Sequence, residues 1–419
     1  MNTLKRIAIY LSLLGPGLIT AMIDNDASGI TTFSVAGARY GYSLLWTIIP
    51  TTIALIVVQE MIARMGIVTG KGLADLIREN YGVKNTFFLM LGLFFANLGT
   101  TVANFSGFAA SMEILGVSKY LIVPTGAILI WLLISKGSYR FVERVLLSAC
   151  ILFVGYIISG IMAKPDWSEV VNNTFVPHIK FETEYLMLSI AIVGTTITPW
   201  MQFYFQSSIV EKGLKKSNFF ITKAEIFIGS LVTVLISAFI IITCGAILYP
   251  AGIRITDASE VGIALKPFAG EYAKIIFAVS LANASILGAI IVPLASAYYI
   301  CEAMGWESGV GKSFNEAPQF TWIYSIIIFI SAVMVIIPGS PLILLMVLSS
   351  FGNGILLPFV LIYAISLVNK KALMGEYTNS RGYNIVSWTT ICVLVLLSIG
   401  MLVSMYMQYT KTNSLFFLS

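Results

Sequence analysis

The sequence predicts an all-α integral membrane protein of about 11 transmembrane helices, arranged as a five-plus-five inverted repeat in which helices 1 and 6 are broken. Three observations lead to this fold class. The chain has 419 residues, of which 58% are hydrophobic and only 11% are charged. Its apolar runs reach the length of about 20 residues that a membrane-spanning helix needs. The first and sixth runs contain polar or helix-breaking residues.

The composition excludes several classes of protein. Soluble domains carry about 25% charged residues, so a water-soluble globule is excluded, together with disordered chains, coiled coils and disulfide-stapled secreted domains. The four cysteines, Cys150, Cys244, Cys301 and Cys392, lie in apolar runs and form no CxxC pair, which predicts small hydrophobic side chains. The single histidine, His178, argues against a proton relay built from imidazoles.

Eleven apolar runs are long enough to span a bilayer. We expect one transmembrane domain over residues 1–419, because the largest outer loops, about 164–183 and 249–269, are too short to form a separate domain. Repeat one is predicted over about 5–163, repeat two over about 184–368, and an extra helix over about 384–407. The predicted spans are about 5–36, 43–66, 86–113, 119–136, 141–163, 184–212, 218–248, 270–303, 320–338, 342–368 and 384–407.

Lys and Arg residues set the expected orientation, because they are enriched in cytoplasmic loops. With the N-terminus placed in the cytoplasm, 17 of the 25 basic residues fall on the inner side and 8 on the outer side. An odd number of spans then puts the C-terminus outside. We therefore predict a multi-pass protein of the cell (plasma) membrane with a cytoplasmic N-terminus and an extracytoplasmic C-terminus.

The first interruption is the polar run from Asp24 to Asp26, followed by Ser28 and Gly29. Two carboxylates at membrane depth are unfavourable by at least ~2.5 kcal/mol each on insertion scales, and such residues are usually functional. Ser28 and Gly29 are weak helix formers and favour a break at this point. We expect at least one of the two aspartates to contact a substrate.

The second interruption lies between Gly194 and Trp200, where Pro199 lacks an N–H and frees carbonyl groups one turn earlier. In hydrocarbon, free carbonyls are tolerated only where they line a cavity or bind something. A proline kink alone is more often a feature of architecture. Two broken helices that meet at the midplane, however, form a substrate site, and their carboxylate, carbonyl and hydroxyl oxygens suit a hard cation.

Several segments resemble the Nramp family of divalent-metal transporters. Gly15-Pro16-Gly17, followed after eight residues by Asp26, is similar to the GPG…DPGN opening of that family. Residues 37–42 (GARYGY), 44–46 (LLW) and 63–71 (ARMGIVTGK) continue the similarity, which covers most of the chain. The resemblance implies a LeuT-like fold with 11 or 12 spans, in agreement with the apolar runs.

The resemblance also implies a metal site, and here the chain departs from the family. The family holds metal with the Asp and Asn of DPGN, a methionine of a Met-Pro-His motif in span 6, and a carbonyl three residues before that methionine. The aspartate is kept as Asp26, and Gly29 stands at the asparagine position. Thr198 stands at the methionine position, and the carbonyl position falls on Thr195. Losing the thioether, which favours transition metals, leaves oxygen ligands only.

Three further residues complete the candidate set: Asp24, Gln202 and Asn353. Gln202 lies one helical turn after Thr198, and Asn353 lies in span 10 close to the position of a family glutamine that assists binding. A helix–helix hydrogen bond is an equally good interpretation of Gln202. The predicted metal-contacting residues are Asp24, Asp26, Gly29, Thr195, Thr198, Gln202 and Asn353.

Groups that move protons in the family are neutral here. Its span-3 stretch Asp-Leu-Ala-Glu resembles residues 101–104 (TVAN), and its span-6 histidine corresponds to Trp200. The paired arginines of family span 9 have no counterpart around 319–324. These departures resemble the Nramp-related magnesium transporters, which move Mg²⁺ without protons. Mg²⁺ retains several waters, and small residues such as Gly29 and Thr198 would leave room for them.

The leading hypothesis is uptake of Mg²⁺, and also Mn²⁺, down the electrochemical gradient without proton coupling. The first alternative is a proton-coupled symporter for Mn²⁺ or Fe²⁺, with protons carried by Asp24 and Asp26. The second is an amino-acid transporter of the same fold, although two aspartates would repel a substrate carboxylate. We expect no enzyme activity, no cofactor apart from the transported ion, and no nucleic-acid or obligate protein partner, which is compatible with a monomer in the lipid bilayer.

Overall fold

The computed structural model describes residues 15–180, 182–255, 258–339 and 342–416. Over these ranges every regular element is a helix, and no β-strand occurs in them. The predicted all-α fold class is confirmed. The first part of predicted span 1, residues 5–14, lies outside the described residues, as do Lys5 and Arg6.

The helices of the described ranges follow one another in chain order with few long connections. They are α1 (Pro16–Ile23), α2 (Ala27–Tyr40), α3 (Ile48–Thr69), α4 (Leu73–Tyr81), α5 (Val83–Ile114), α6 (Lys119–Lys136), α7 (Tyr139–Cys150), α8 (Val154–Met162), α9 (Trp167–Phe175), α10 (Thr183–Thr196), α11 (Pro199–Lys212), α12 (Phe219–Ile247), α13 (Ala258–Met304), α14 (Pro318–Ile336), α15 (Leu342–Val368), α16 (Lys371–Met374) and α17 (Arg381–Phe416). Short 3-10 turns occupy Leu45–Thr47, Ile151–Phe153, Lys216–Asn218 and Gly375–Tyr377.

Eight stretches within the described residues are long and apolar enough to cross a membrane. They are Leu45–Thr69, Val83–Ile114, Lys119–Lys136, Tyr139–Met162, Glu184–Lys212, Lys216–Ile247, Lys274–Met304 and Pro318–Ile336. Gly352–Val368 and Lys371–Tyr377, bent by 66°, make a ninth if they are counted as one span. Helix α17 covers predicted span 11 without a break. The total of 11 spans and the repeat boundaries stay predictions.

Two connecting segments differ from the outer loops that the sequence predicts. The segment 164–183 contains α9, and α13 begins at Ala258, inside the predicted loop 249–269. Hydropathy shows only which part of a helix can lie in the bilayer. The helix itself can extend further, through polar residues that also favour the helical conformation. At 1.5 Å per residue, the 47 residues of α13 extend far beyond a hydrocarbon core of about 30 Å.

Helix α12 brings small residues into close contact with α1 and α2. A Cβ atom added at Gly229 would lie 3.3 Å from the Gly17 carbonyl oxygen. Further along, a Cβ atom at Gly37 of α2 would lie 2.9 Å from Cys244 Cβ and 3.1 Å from Gly245 N. Small residues of this kind let helix backbones approach each other in a membrane. Both halves of span 1 are therefore packed along one helix.

The start of α1 is held by a buried carboxylate from α12. Glu225 Oε1 accepts hydrogen bonds from Gly15 N at 2.5 Å and Gly17 N at 2.9 Å. It also accepts one from Leu18 N at 3.2 Å, and Pro16 has no N–H to leave unpaired. The N-terminus of a helix favours an anion at this position. The Gly-Pro-Gly motif is therefore a binding loop for the Glu225 side chain.

An ion pair lies against Gly15, the first residue of the same motif. Lys212 Nζ at the end of α11 lies 2.6 Å from Glu143 Oε1 of α7, and both side chains are mostly buried. A Cβ atom at Gly15 would lie 2.8 Å from Glu143 Cδ and 2.9 Å from Lys212 Nζ. Helices α1, α7, α11 and α12 therefore converge at Gly15, where a larger residue would push them apart.

Arg64, near the end of α3, anchors the segment that precedes α17. Its Nη1 donates to the carbonyl oxygens of Tyr377 at 3.1 Å and Thr378 at 3.2 Å. Its Nη2 lies 3.1 Å from Glu60 Oε2, and Lys223 Nζ of α12 lies 3.2 Å from the other oxygen of Glu60. Helices α3 and α12 and the segment before α17 are thereby tied together at one end of the bundle.

We expect Glu225→Ala to lower the free energy of unfolding by about 2 kcal/mol, because it removes the charged acceptor shared by three backbone N–H groups. Glu225→Gln keeps an acceptor without the charge and should lower it about half as much. Thermal unfolding of the purified protein in detergent measures both changes. Glu113→Gln, at an exposed position, is the control, and equal unfolding midpoints for all three variants would contradict the role given to Glu225.

Candidate functional site

The two predicted breaks are present, and they lie against each other. One separates α1 from α2 and the other separates α10 from α11. A Cβ atom added at Gly29 would lie 3.3 Å from Thr195 Oγ1 and would clash with the Asp24 carbonyl oxygen. Gly29 is therefore a point at which the two broken helices meet, and it fits there because it has no side chain.

Asp26 is the N-cap of α2. Its Oδ1 accepts hydrogen bonds from Ser28 N at 3.0 Å, Ser28 Oγ at 2.8 Å and Gly29 N at 3.0 Å. Its Oδ2 accepts one hydrogen bond, from Asn104 Nδ2 at 3.0 Å. An oxygen that already has three donors has little capacity left, so Oδ2 is the atom of Asp26 that remains able to bind a ligand.

Asn104 of α5 connects this cap to the third span. Its Oδ1 accepts from Ala27 N at 3.1 Å, and its Nδ2 also donates to the Thr100 carbonyl at 3.0 Å. Asn353 of α15 donates from Nδ2 to Thr100 Oγ1 at 3.1 Å. The predicted site residue Asn353 therefore reaches Asp26 through two intermediate residues, Thr100 and Asn104.

Asn25, between the two aspartates, faces α12. Its Nδ2 donates to Thr233 Oγ1 at 2.6 Å and to the Thr233 carbonyl at 3.1 Å. Its Oδ1 accepts from Ser237 Oγ at 2.8 Å. Thr233 Oγ1 donates in turn to the Ala21 carbonyl at 2.5 Å. Both polar atoms of the Asn25 side chain are thus occupied, and the residue holds the break in place.

Asp24 differs from both of its neighbours. It is 3% exposed, and neither carboxylate oxygen has a hydrogen-bond partner in the described part of the chain. Burying an uncompensated carboxylate costs several kcal/mol, which a protein tolerates where a ligand supplies the missing charge. Across the described residues no basic side chain forms an ion pair with Asp24 or Asp26. Two carboxylates without a protein counter-charge are complementary to a divalent cation.

The break in span 6 contributes neutral oxygen atoms. The Thr195 carbonyl would bond to residue 199 in a continuous helix, but Pro199 has no N–H. Thr198 is the N-cap of α11 without a side-chain capping bond, and its Oγ1 has no partner within the described ranges. Gln202 Nε2 donates to the Thr198 carbonyl at 3.3 Å, and Gln202 Oε1 is likewise buried without a described partner.

The seven predicted residues fall into three groups. Asp24, Asp26 and Gly29 lie at the first break, and Thr195 lies beside them. Thr198 and Gln202 lie at the second break. Asn353 is connected to Asp26 through Thr100 and Asn104 of α5. None of the described contacts joins Gln202 or Asn353 directly to an aspartate. Within the described ranges no group of three or more His, Cys, Asp or Glu side chains could hold a metal ion. A cation here would therefore need carbonyl, hydroxyl and amide oxygens and water.

The interpretation of the sequence did not place Thr100 and Asn104 in the site. Asn104 was interpreted as a neutral replacement for a family acid and was left out of the candidate set, and it contacts Asp26 directly. A signal was available, because Asn97, Thr100, Thr101 and Asn104 are polar and recur three or four residues apart within an apolar span. Such a polar face inside a membrane helix marks an interior contact.

Comparisons with known proteins agree with this fold. The model of the family described as Nramp, natural resistance-associated macrophage protein-like, matches residues 17–404. The crystal structure of the Eremococcus coleocola manganese transporter in complex with an aromatic bis-isothiourea substituted compound superposes with a TM-score of 0.76 at 20% identity, covering 93% of this chain and 85% of that one. Two single-site mutants of that transporter give 0.74 at 20% and 21% identity with the same coverage. At this identity the similarity establishes the LeuT-like fold.

We expect Asp24→Asn to raise the thermal unfolding midpoint of the metal-free protein, because the change removes an uncompensated buried charge and breaks no described hydrogen bond. The gain should be at least ~1 kcal/mol. Asp26→Asn is the matched variant: its amide oxygen can still cap α2, but its amide nitrogen would face the donor Asn104 Nδ2, so its midpoint should fall rather than rise. A midpoint that falls for Asp24→Asn would mean that the protein itself stabilises this carboxylate.

Proposed function

The chain belongs to the Nramp family, and on this premise we propose that it transports divalent metal cations across a membrane. More narrowly, we propose uptake of Mg²⁺, and also of Mn²⁺, through the cell (plasma) membrane, down the electrochemical gradient and without proton coupling. The observation that carries the proposal is Asp24, a buried carboxylate without a described partner, placed where two broken helices meet.

The donor set supports a hard cation. Asp24 offers both carboxylate oxygens, Asp26 offers Oδ2, and the break in span 6 offers the Thr195 carbonyl and the Thr198 hydroxyl. All of these donors are oxygens, which are the ligands of Mg²⁺ and Mn²⁺, and the soft thioether of the family is replaced at Thr198. The similarity to structures of a manganese transporter supports Mn²⁺ as a second substrate.

Each candidate residue has a distinct role in the proposal. Asp24 is the principal ligand, and Asp26 contributes one oxygen while it caps α2. Gly29, which has no side chain, lets the two breaks approach each other closely, so that their oxygen atoms can share one ion. Gln202 Oε1 and Asn353 Oδ1, which lack described partners, accept hydrogen bonds from the waters of that ion.

The membrane potential is sufficient to drive uptake. Moving two positive charges through an inside-negative potential of 100 mV releases about 4.6 kcal/mol. This corresponds to a concentration ratio of roughly two thousand at equilibrium. Coupling to protons is therefore not required for accumulation.

The neutral residues of the third and sixth spans support uncoupled transport. Thr101 donates from Oγ1 to the Asn97 carbonyl at 2.7 Å, Asn104 holds Asp26, and Trp200 is buried. None of these three side chains exchanges protons at physiological pH. One observation favours the alternative of proton-coupled Mn²⁺ or Fe²⁺ symport: the uncompensated Asp24 carboxylate can take up a proton when the cation leaves.

The second alternative, an amino-acid transporter of the same fold, has weaker support. A substrate carboxylate would bind at the N-terminus of a broken helix. The N–H groups of Ser28 and Gly29 at the start of α2 already donate to Asp26, and Asp24 adds a second negative charge beside them. An anionic group is thus excluded from this end of α2 by the protein's own carboxylates.

Purified protein in liposomes should take up Mg²⁺ under an inside-negative potential while an internal pH dye reports no acidification. Mn²⁺ should behave in the same way. Asp24→Asn, which is expected to fold at least as well as the unmodified chain, should lower uptake more than a hundredfold, because the principal ligand loses its charge. Absence of Mg²⁺ flux would end the magnesium proposal, and acidification that tracks Mn²⁺ flux would establish the symporter instead.

Thr198→Met should shift the preference toward soft cations, because it restores a thioether beside the aspartates. We expect the ratio of Cd²⁺ to Mg²⁺ uptake, measured by competition in the same liposomes, to rise about tenfold. Thr125→Met, on an exposed face of α6, is the control for adding a methionine to the chain. An unchanged ratio in Thr198→Met would show that this position does not contact the ion.

A further inference from the structure

Helix α11 carries a line of unpaired oxygens that begins at the break and leads away from it. Thr198, Gln202 and Gln206 are spaced four residues apart, so they lie on one face of the helix. Each has a side-chain oxygen that is buried and has no hydrogen-bond partner among the described residues. Gln202 and Gln206 are 0% exposed. From Thr198 to Gln206 the line advances by eight residues, which is about 12 Å along the helix axis.

A buried carboxylate lies at the far end of this line. Glu302, near the end of α13, is 7% exposed, and its Oε1 accepts a hydrogen bond from Ser207, the residue after Gln206. Its Oε2 has no partner within the described ranges. Gln206 Nε2 donates to the Lys71 carbonyl at 2.8 Å, and Glu302 packs directly on the neighbouring Gly72. Gln206 and Glu302 therefore flank the same peptide group.

The basic groups nearby are engaged elsewhere. Arg78 lies 3.1 Å from Asp75, and its Nη1 points to the Ala303 carbonyl at 3.5 Å. Lys71 Nζ lies 2.7 Å from Glu79 Oε1. No ion pair to Glu302 occurs in the described part of the chain. The start of α4 lies against this carboxylate at Gly72 and favours its negatively charged form.

We propose that Glu302, Gln206 and Ser207 form a second, weaker site for the transported divalent cation, which the ion occupies after it leaves the midplane along α11. This inference rests on the proposed function. One carboxylate, one amide oxygen and one hydroxyl leave most coordination positions to water, which suits Mg²⁺ or Mn²⁺ and gives the low affinity that release requires. Between the two sites, Gln202 Oε1 takes the place of one water ligand of the passing ion.

The experiment is a titration of the purified full-length protein with Mn²⁺, followed by electron paramagnetic resonance of the free ion. The unmodified protein should bind two ions, one tightly and one at least tenfold more weakly. Glu302→Gln should remove the weak ion and keep the tight one, which also shows that the variant is folded. Gln206→Met, which keeps the length of the side chain without its amide oxygen, should weaken the second ion severalfold.

Two matched measurements keep the failure of this inference separate from the failure of the proposed function. Glu376→Gln removes an exposed carboxylate for which the described residues show no ion pair, and it should leave both ions in place. Asp24→Asn should lose the tight ion and retain the weak one. A single bound ion in the unmodified protein, or two ions in Glu302→Gln, would overturn the second site while uptake persists. Absence of both Mn²⁺ binding and uptake would overturn the proposed function itself.

Discussion

The hydrogen bonds from α12 to the first broken span are the constraint on which the rest of the structure depends. A helix that ends inside hydrocarbon exposes carbonyl and N–H groups, and each unsatisfied group there costs several kcal/mol. Thr233 satisfies the Ala21 carbonyl, and Thr233 and Ser237 together hold Asn25. Glu225 satisfies the other end of α1. The break at 24–26 can therefore exist because one neighbouring helix supplies its partners.

Because of this arrangement, the three consecutive polar residues Asp24, Asn25 and Asp26 make different contacts. Asn25 is bound to α12, and Asp26 is bound to α2 and Asn104, which leaves Oδ2 as the one atom of Asp26 able to accept a ligand. Asp24 alone is left without a described partner. Since α12 already stabilises the break, we expect the uncompensated carboxylate of Asp24 to be unnecessary for folding and to reduce stability. A group that weakens the fold at the point where two helices are interrupted is best explained by a ligand.

Local chemistry made the two breaks, and the residues that lie at them, predictable from the sequence. Pro199 and the run from Asp24 to Asp26 disturb a helix through their own backbone and side chains, so their effect is visible in a short window. Glu225 was not predictable, because it contacts Gly15 from 210 positions away and looks like an ordinary polar residue near a helix start. The position of Asn104 opposite Asp26 is likewise set by packing of α5 against α2. Pairings of this kind depend on the tertiary fold.

The neutral side chain of Asn104 is explained by its position next to Asp26. It is not a loss of an acidic group that is unrelated to the rest of the site. Its amide oxygen accepts from Ala27 N while its amide nitrogen donates to Asp26 Oδ2 at 3.0 Å. The family resemblance places a glutamate at this point. A carboxylate could accept from Ala27 N in the same way, but it could approach Asp26 this closely only if the two shared a proton. Asparagine provides the same contact with no proton to exchange. Under the proposed function, the residue that holds Asp26 is thus also the neutral residue at the position of a family acid, and both effects arise from one side chain.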